Sequence, residues 1–178
     1  GMTIIRDPIS ILRWRASSGA FANFCFGQGE LLATPIQIAA MINTIAAGGI
    51  WREPLFLECT LDETTGEPLT ALAHRGARRV FSAQTARALR ELLASVVTEG
   101  TGHEAAPTEG TAAGKTGTAQ TGQFAAGKEL KNYWFAGFYP ARNPRYTIVV
   151  LQDGQTGPSR TSAAIFAQVC DALDAAGE

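Results

Sequence analysis

Residues 110–122 read "GTAAGKTGTAQTG", and how this stretch folds decides the fold around it. Gly114-Lys115-Thr116 is how a phosphate-cradling loop ends. Such a loop needs Gly, four residues, then Gly-Lys-Ser/Thr, and it opens a helix whose N-terminus faces the anion. Here Glu109 stands five positions before Gly114, where a carboxylate would point at bound phosphate, and Gly110 is one residue too close. A polar loop precedes the motif. The "TGTAQTGQ" that follows, rich in Thr and Gly, is poor helix material. The phosphate-loop reading therefore fails, and the stretch reads as an extended strand over about 112–120.

On a strand, side chains alternate between faces. Lys115 then puts a compact cation two residues from Gly117 on one face, while Thr116 and Thr118 carry hydroxyls on the other. Gly117 leaves the strand bare where something can approach closely. A cation, a bare stretch and backbone N–H groups suit an extended peptide ending in a carboxylate. For an isolated Lys-Thr-Gly, a common tripeptide, an ordinary Thr-rich edge strand with one exposed Lys is the better explanation.

Working outward, two further strand candidates follow, Tyr133 to Tyr139 and Tyr146 to Gln152. "PARNP" between them is short turn chemistry and predicts an antiparallel hairpin. Trp134, Phe135, Phe138 and Tyr139 read as core and cross-strand pairs. Residues 121–132, "TGQFAAGKELKN", read as a loop. A final helix is predicted from about Ser159 to Leu173, with Ile165, Phe166, Val169 and Leu173 on its buried face.

Upstream, Thr34, Pro35 and Gln37 form a capping box with Pro at the first helical position. Ile38, Ile42 and Ile45, with Met41 alongside, continue that helix until Gly48-Gly49. Residues 54–73 read as a two-stranded excursion turning at "ETTGE". Ser82 caps another helix, with Ala86, Leu89, Leu93, Val96 and Val97 buried and Gly100 at its end. "RGARR" at 75–79 reads as a solvated basic surface. This order predicts an α+β domain spanning residues 1–178, its antiparallel sheet of at least three strands covered on one face by helices.

Composition excludes several functions. The 178 residues are 46% hydrophobic, enough for a core. A net charge of −1 gives no electrostatic case for nucleic acid. Cys25, Cys59 and Cys170 are widely spaced and read as small buried hydrophobes. His74 and His103 lack second ligands at metal spacing, so no metal site and no cofactor are expected. No apolar run is long enough to span a membrane and no leader is visible. Gly1 ahead of Met2 reads as the remnant of a cleaved tag, so residue 1 is not taken as a natural domain edge.

Four segments, in matching order and spacing, make the chain resemble the transpeptidase domain of class B penicillin-binding proteins over most of residues 21–173. They are "GQGELLATPIQIAAMINTIAAGG", "ELLASVVTEGTG", "AAGKTGTAQ" and "YWFAGFYPARNPRYTIVVL". The resemblance implies serine acyl transfer from a D-alanyl-D-alanine stem to a neighbouring amine, with peptidoglycan stem peptide or a β-lactam as partner. It implies that Lys115 bonds the serine of the family's middle motif. Thr116 and Thr118 would lie near the donor's carboxylate, and the backbone N–H of Thr118 would serve the oxyanion hole. Gly117 would leave room for substrate, and the 121–132 loop would rim the cleft. An extracytoplasmic, membrane-anchored setting is implied for the full-length family.

The family's nucleophile motif is Ser-x-x-Lys. None of Ser10, Ser17, Ser18, Ser82, Ser95, Ser159 and Ser162 has Lys three residues on, and Ser-x-Asn is also absent. Ser10 comes nearest, with Arg13, but a guanidinium cannot act as the base. The chain thus resembles the C-terminal half of such a domain, a partial β-lactamase/transpeptidase-like fold expected to be inactive without an upstream half. The "YTIVVL" strand would then be an unpaired apolar edge, expected to self-associate or be covered by residues 1–20. A non-catalytic remnant or binding module for D-Ala-D-Ala or β-lactam is the alternative, as is a β-lactam sensor or β-lactamase relative. The Thr-Pro-x-Gln helix and "YPARNP" hairpin favour the transpeptidase.

Overall fold

In the computed structural model, helix α1 (Pro35–Ala46) starts where its local chemistry dictates. The Thr34 side chain accepts from the Gln37 N–H, and Gln37 reaches back to the Thr34 N–H at 2.8 Å. It ends in a Schellman motif: the Gly49 N–H reaches Thr44 O at 2.8 Å and the Gly48 N–H reaches Ile45 O at 3.2 Å. Both glycines have positive φ. The structure describes residues 19, 22–23, 32–57, 59–71 and 76–177. Apart from Gly19, the expectations for residues 1–20, together with those for Cys25 and His74, lie outside them.

After α1 come β1 (Ile50–Arg52), β2 (Cys59–Leu61), β3 (Pro68–Ala71), β4 (Ala77–Arg79), α2 (Ala83–Thr98) and a short 3-10 turn (His103–Ala105). Then follow β5 (Ala113–Ala125), β6 (Lys128–Tyr139), β7 (Tyr146–Gln155) and α3 (Ser162–Ala175). The expected excursion is the β2–β3 ribbon, whose turn is held by Asp62 accepting from the Thr64 and Thr65 N–H groups at 2.8 Å. Those bonds hold the Asp62 carboxyl below its usual range, the Thr65 bond most strongly.

β1 pairs with β4, a ribbon the sequence reading missed. Residues 77–79 are therefore strand, and they are exposed, as the reading of a solvated basic surface expects. Arg79 donates to Gly48 O at 2.9 Å and Arg78 lies over the Trp51 ring.

The main sheet is antiparallel, in the order β5-β6-β7. Helices cover both of its faces, which corrects the one-face expectation. On one face Ile42 of α1 packs with Ala113, Ala136 and Phe138, joined by Leu93 of α2. On the other, Phe166 and Cys170 of α3 and Val97 of α2 pack with Phe135 and Tyr139. The sheet thus lies between helices, and β6, its central strand, holds most of the fully buried aromatic area.

Two helix faces differ from expectation. Met41 sits off the buried side of α1, 52% exposed. α3 starts at Ser162, capped by Thr161, and buries Ala163, Phe166, Ala167 and Cys170 rather than the Ile165–Val169 face. Val169 is exposed. Cys170 is fully buried and Cys59 half-buried, as small hydrophobes.

Candidate functional site

Lys115, Thr116, Gly117 and Thr118 lie on β5, an edge of the sheet among the described residues. The ladder fixes their faces: Lys115 opposes Ala136, Thr116 Phe135, Gly117 Trp134 and Thr118 Tyr133. Lys115 and Thr118 are exposed, and Thr116 and Gly117 are half-buried.

The alternation expected for a strand holds, yet Lys115 still meets Thr116. Its ammonium curls back to donate to Thr116 O at 3.0 Å and Thr116 Oγ1 at 3.1 Å. Among the described residues no carboxylate pairs with Lys115. The strand thus carries a cation that the surrounding described protein leaves unneutralised, with a hydroxyl bonded to it.

Two glycines of this strand differ in kind. A Cβ on Gly114 would lie 2.5 Å and 2.7 Å from Phe135 ring atoms and 2.8 Å from Ala136 O. Gly114 is therefore bare so that Phe135 can pack against Phe166, the rings tilted by 58° with centroids 4.7 Å apart. Among the described residues, a Cβ on Gly117 would meet only the Trp134 side chain, its Cβ at an ordinary 3.4 Å and its Cγ at 4.0 Å. Packing demands the first glycine and leaves the second unexplained.

The approach to β5 is pinned to α3. Thr108 donates its N–H to Asp171 Oδ1 at 2.7 Å and its hydroxyl to Asp171 Oδ2 at 3.0 Å. The Tyr139 hydroxyl donates to Asp174 at 2.5 Å, and Thr161 donates to Glu104. The Asp174 bond, with burial, pushes the Tyr139 phenol up to about 12. Burial pushes the Cys170 thiol up to about 12 as well, with the charges of Asp171 and Asp174 adding to it. That thiol is an inert core group.

The segment 121–132 is not a loop. β5 and β6 run on through it as a long hairpin turned at Ala126 and Gly127, φ 50° and 76°. Positive φ at both central residues is the type I′ pattern, whose twist matches paired strands. Sequence reasoning also missed Thr101, whose hydroxyl lies 3.3 Å from that of Thr116. Its signal was present as the Gly100-Thr101-Gly102 run closing α2. A groove of about 590 Å³ between α1 and the β1–β4 ribbon is lined by Ile36, Met41, Trp51, Phe56 and Val80 among others. Residues 115–118 take no part in its walls.

The described residues hold no group of three or more His, Cys, Asp or Glu placed to bind a metal ion. No helix among them is long and apolar enough to cross a membrane.

An α+β sheet carrying a lysine-threonine-glycine edge strand between helices is the arrangement that the resemblance to penicillin-binding transpeptidase domains implies. Residues 8–171 match the family model of the penicillin binding protein transpeptidase domain, and the chain belongs to that family. It is 35% identical over 176 residues to penicillin-binding protein PbpB of Mycolicibacterium smegmatis, covering 90% of this chain and 26% of that protein. Penicillin binding protein 3 of Mycobacterium tuberculosis, solved with aztreonam, superposes with a TM-score of 0.76 at 32% identity. That match covers 90% of this chain and 39% of the solved one. The imipenem acyl-enzyme of penicillin-binding protein A of M. tuberculosis gives a TM-score of 0.73 at 27% identity, covering 91% and 35%. The chain thus spans about a quarter of the length of the curated relative and under half of each solved one.

Proposed function

We propose that this chain forms the lysine-bearing wall of a peptidoglycan D,D-transpeptidase cleft, working outside the cytoplasm. The observation that carries the reading is the Lys115 ammonium, which has no carboxylate partner among the described residues and is bonded to Thr116 beside Gly117, a glycine that packing among those residues does not require. Lys115 and the hydroxyls of Thr116 and Thr118 take the carboxylate of a D-alanyl-D-alanine end or of a β-lactam. Gly117 lets the ligand backbone lie against the strand, and the Thr118 N–H faces the developing oxyanion. The acyl-transfer step itself requires a Ser-x-x-Lys nucleophile, which no serine of this sequence provides. Activity therefore depends on a complementary half of the domain.

The test is an NMR titration of the labelled chain with N-acetyl-D-Ala-D-Ala and with its C-terminal amide. The acid is expected to move the amide resonances of residues 115–118, the C-terminal amide to move them far less, and Lys115→Ala to abolish the difference. Equal shifts from both ligands would refute the reading.

A further inference from the structure

We infer that Thr101 is a positioning residue for carboxylate recognition, acting through Thr116; the inference rests on the reading of β5 as an anion-binding strand. Thr101 lies on the loop that leaves α2, fifteen residues from Thr116 in sequence, yet their hydroxyl oxygens are 3.3 Å apart. The loop is built to bring it there. The Gly102 N–H bonds Val96 O at 3.0 Å. A Cβ on Gly100 would fall 2.9 Å from Val96 O, and one on Gly102 would fall 3.0 Å and 3.2 Å from Val96 and Phe135 side-chain atoms. Side chains at the flanking positions would crowd Val96 and Phe135, so the turn is tight and it sets the Thr101 hydroxyl beside that of Thr116.

The donor count gives this contact its role. A threonine hydroxyl has one proton and two lone pairs. Lys115 fills one Thr116 lone pair. If Thr116 donates to Thr101, its proton is spent inside the protein. If Thr101 donates to Thr116, both lone pairs are filled and the Thr116 proton must seek a third acceptor. An arriving carboxylate selects the second arrangement. Thr101 O–H then donates to Thr116 Oγ1, and Thr116 O–H donates to the anion, each bond polarising the next. Thr101 therefore fixes the rotamer of Thr116 and aims its proton outward.

The same titration decides the matter on Thr101→Val, which keeps the shape and removes the hydroxyl, and on Thr101→Ser, which keeps the hydroxyl. Thr101→Val should lose about tenfold of the preference for N-acetyl-D-Ala-D-Ala over its C-terminal amide, the scale of one hydrogen bond to a charged group. Thr101→Ser should hold the preference near the unsubstituted chain, and the urea midpoints of both should stay close to it. A full preference in Thr101→Val overturns the inference, and so does an equal loss in both variants, which would show that keeping the hydroxyl does not keep the effect. An unsubstituted chain with no preference refutes instead the underlying reading of the strand.

Discussion

Gly114→Ala and Gly117→Ala test whether the two glycines of the lysine strand are bare for different reasons. At Gly114 the added methyl would sit 2.5 Å and 2.7 Å from Phe135 ring carbons, where about 3.5–4.0 Å is comfortable. The ring would have to retreat by about 1 Å, but Phe135 is fully buried and backed by Phe166. The third neighbour is the Ala136 carbonyl, backbone of the central strand, which cannot yield without breaking the ladder. Overpacking of this kind costs about 3 kcal/mol. At Gly117 the methyl meets Trp134 carbons at 3.4 Å and 4.0 Å, ordinary contacts, and the backbone has no positive φ. Alanine there should change stability by no more than about 0.5 kcal/mol, and the stiffer unfolded chain offsets part of that. In urea, with a slope of about 2 kcal/mol per M, Gly114→Ala should lower the midpoint by about 1.5 M while Gly117→Ala leaves it unmoved. Gly117→Ala should nonetheless weaken N-acetyl-D-Ala-D-Ala binding. A Gly114→Ala midpoint equal to the parent's would refute the packing argument. A large loss of stability in Gly117→Ala would show that its bareness is structural.

Other perturbations probe other parts of the account. Tyr139 is raised from 10.0 to about 12, so its contribution is complete below pH 10 and lost as pH climbs from 10 to about 12. Raising a buried phenol that far corresponds to at most about 3 kcal/mol. Tyr139→Phe should flatten the alkaline fall in urea midpoint across that window, leaving the Cys170 part that begins near 9.0. An unchanged slope would rule the Tyr139–Asp174 bond out as its source. Ala126→Asn should raise stability by about 0.5–1 kcal/mol, and with it the melting temperature, because Ala126 holds a left-handed φ of 50° that Asn adopts more readily. A lower melting temperature would count against the I′ turn. The outer edge of β7 has no strand partner among the described residues, so sedimentation at rising concentration should show self-association. A chain that stays monomeric throughout would remove that expectation.

Much of this fold was legible because its signals are local. The Thr34–Gln37 box and the Gly48-Gly49 stop each lie within one turn of the residues they cap, and both appear as read. The features missed depend on distant partners. Residues 121–132 carry no apolar alternation, and pairing such as Gln120 with Lys131 and Phe124 with Glu129 makes them strand. β1 and β4 are three residues each and meet across a long separation. The α3 face was misplaced because small residues, Ala163, Ala167 and Cys170, fill the contact while the more conspicuous Ile165 and Val169 lie toward its side. At the candidate site the strand residues were legible from type and spacing, whereas Thr101 joins them only through the tertiary fold.

The central claim is that this chain carries the recognition wall of the cleft and no nucleophile. Intact-mass measurement after incubation with benzylpenicillin tests it most directly. The account predicts an unmodified mass at every time point. A stoichiometric increase by one opened β-lactam, mapped to any serine of the sequence, would contradict it.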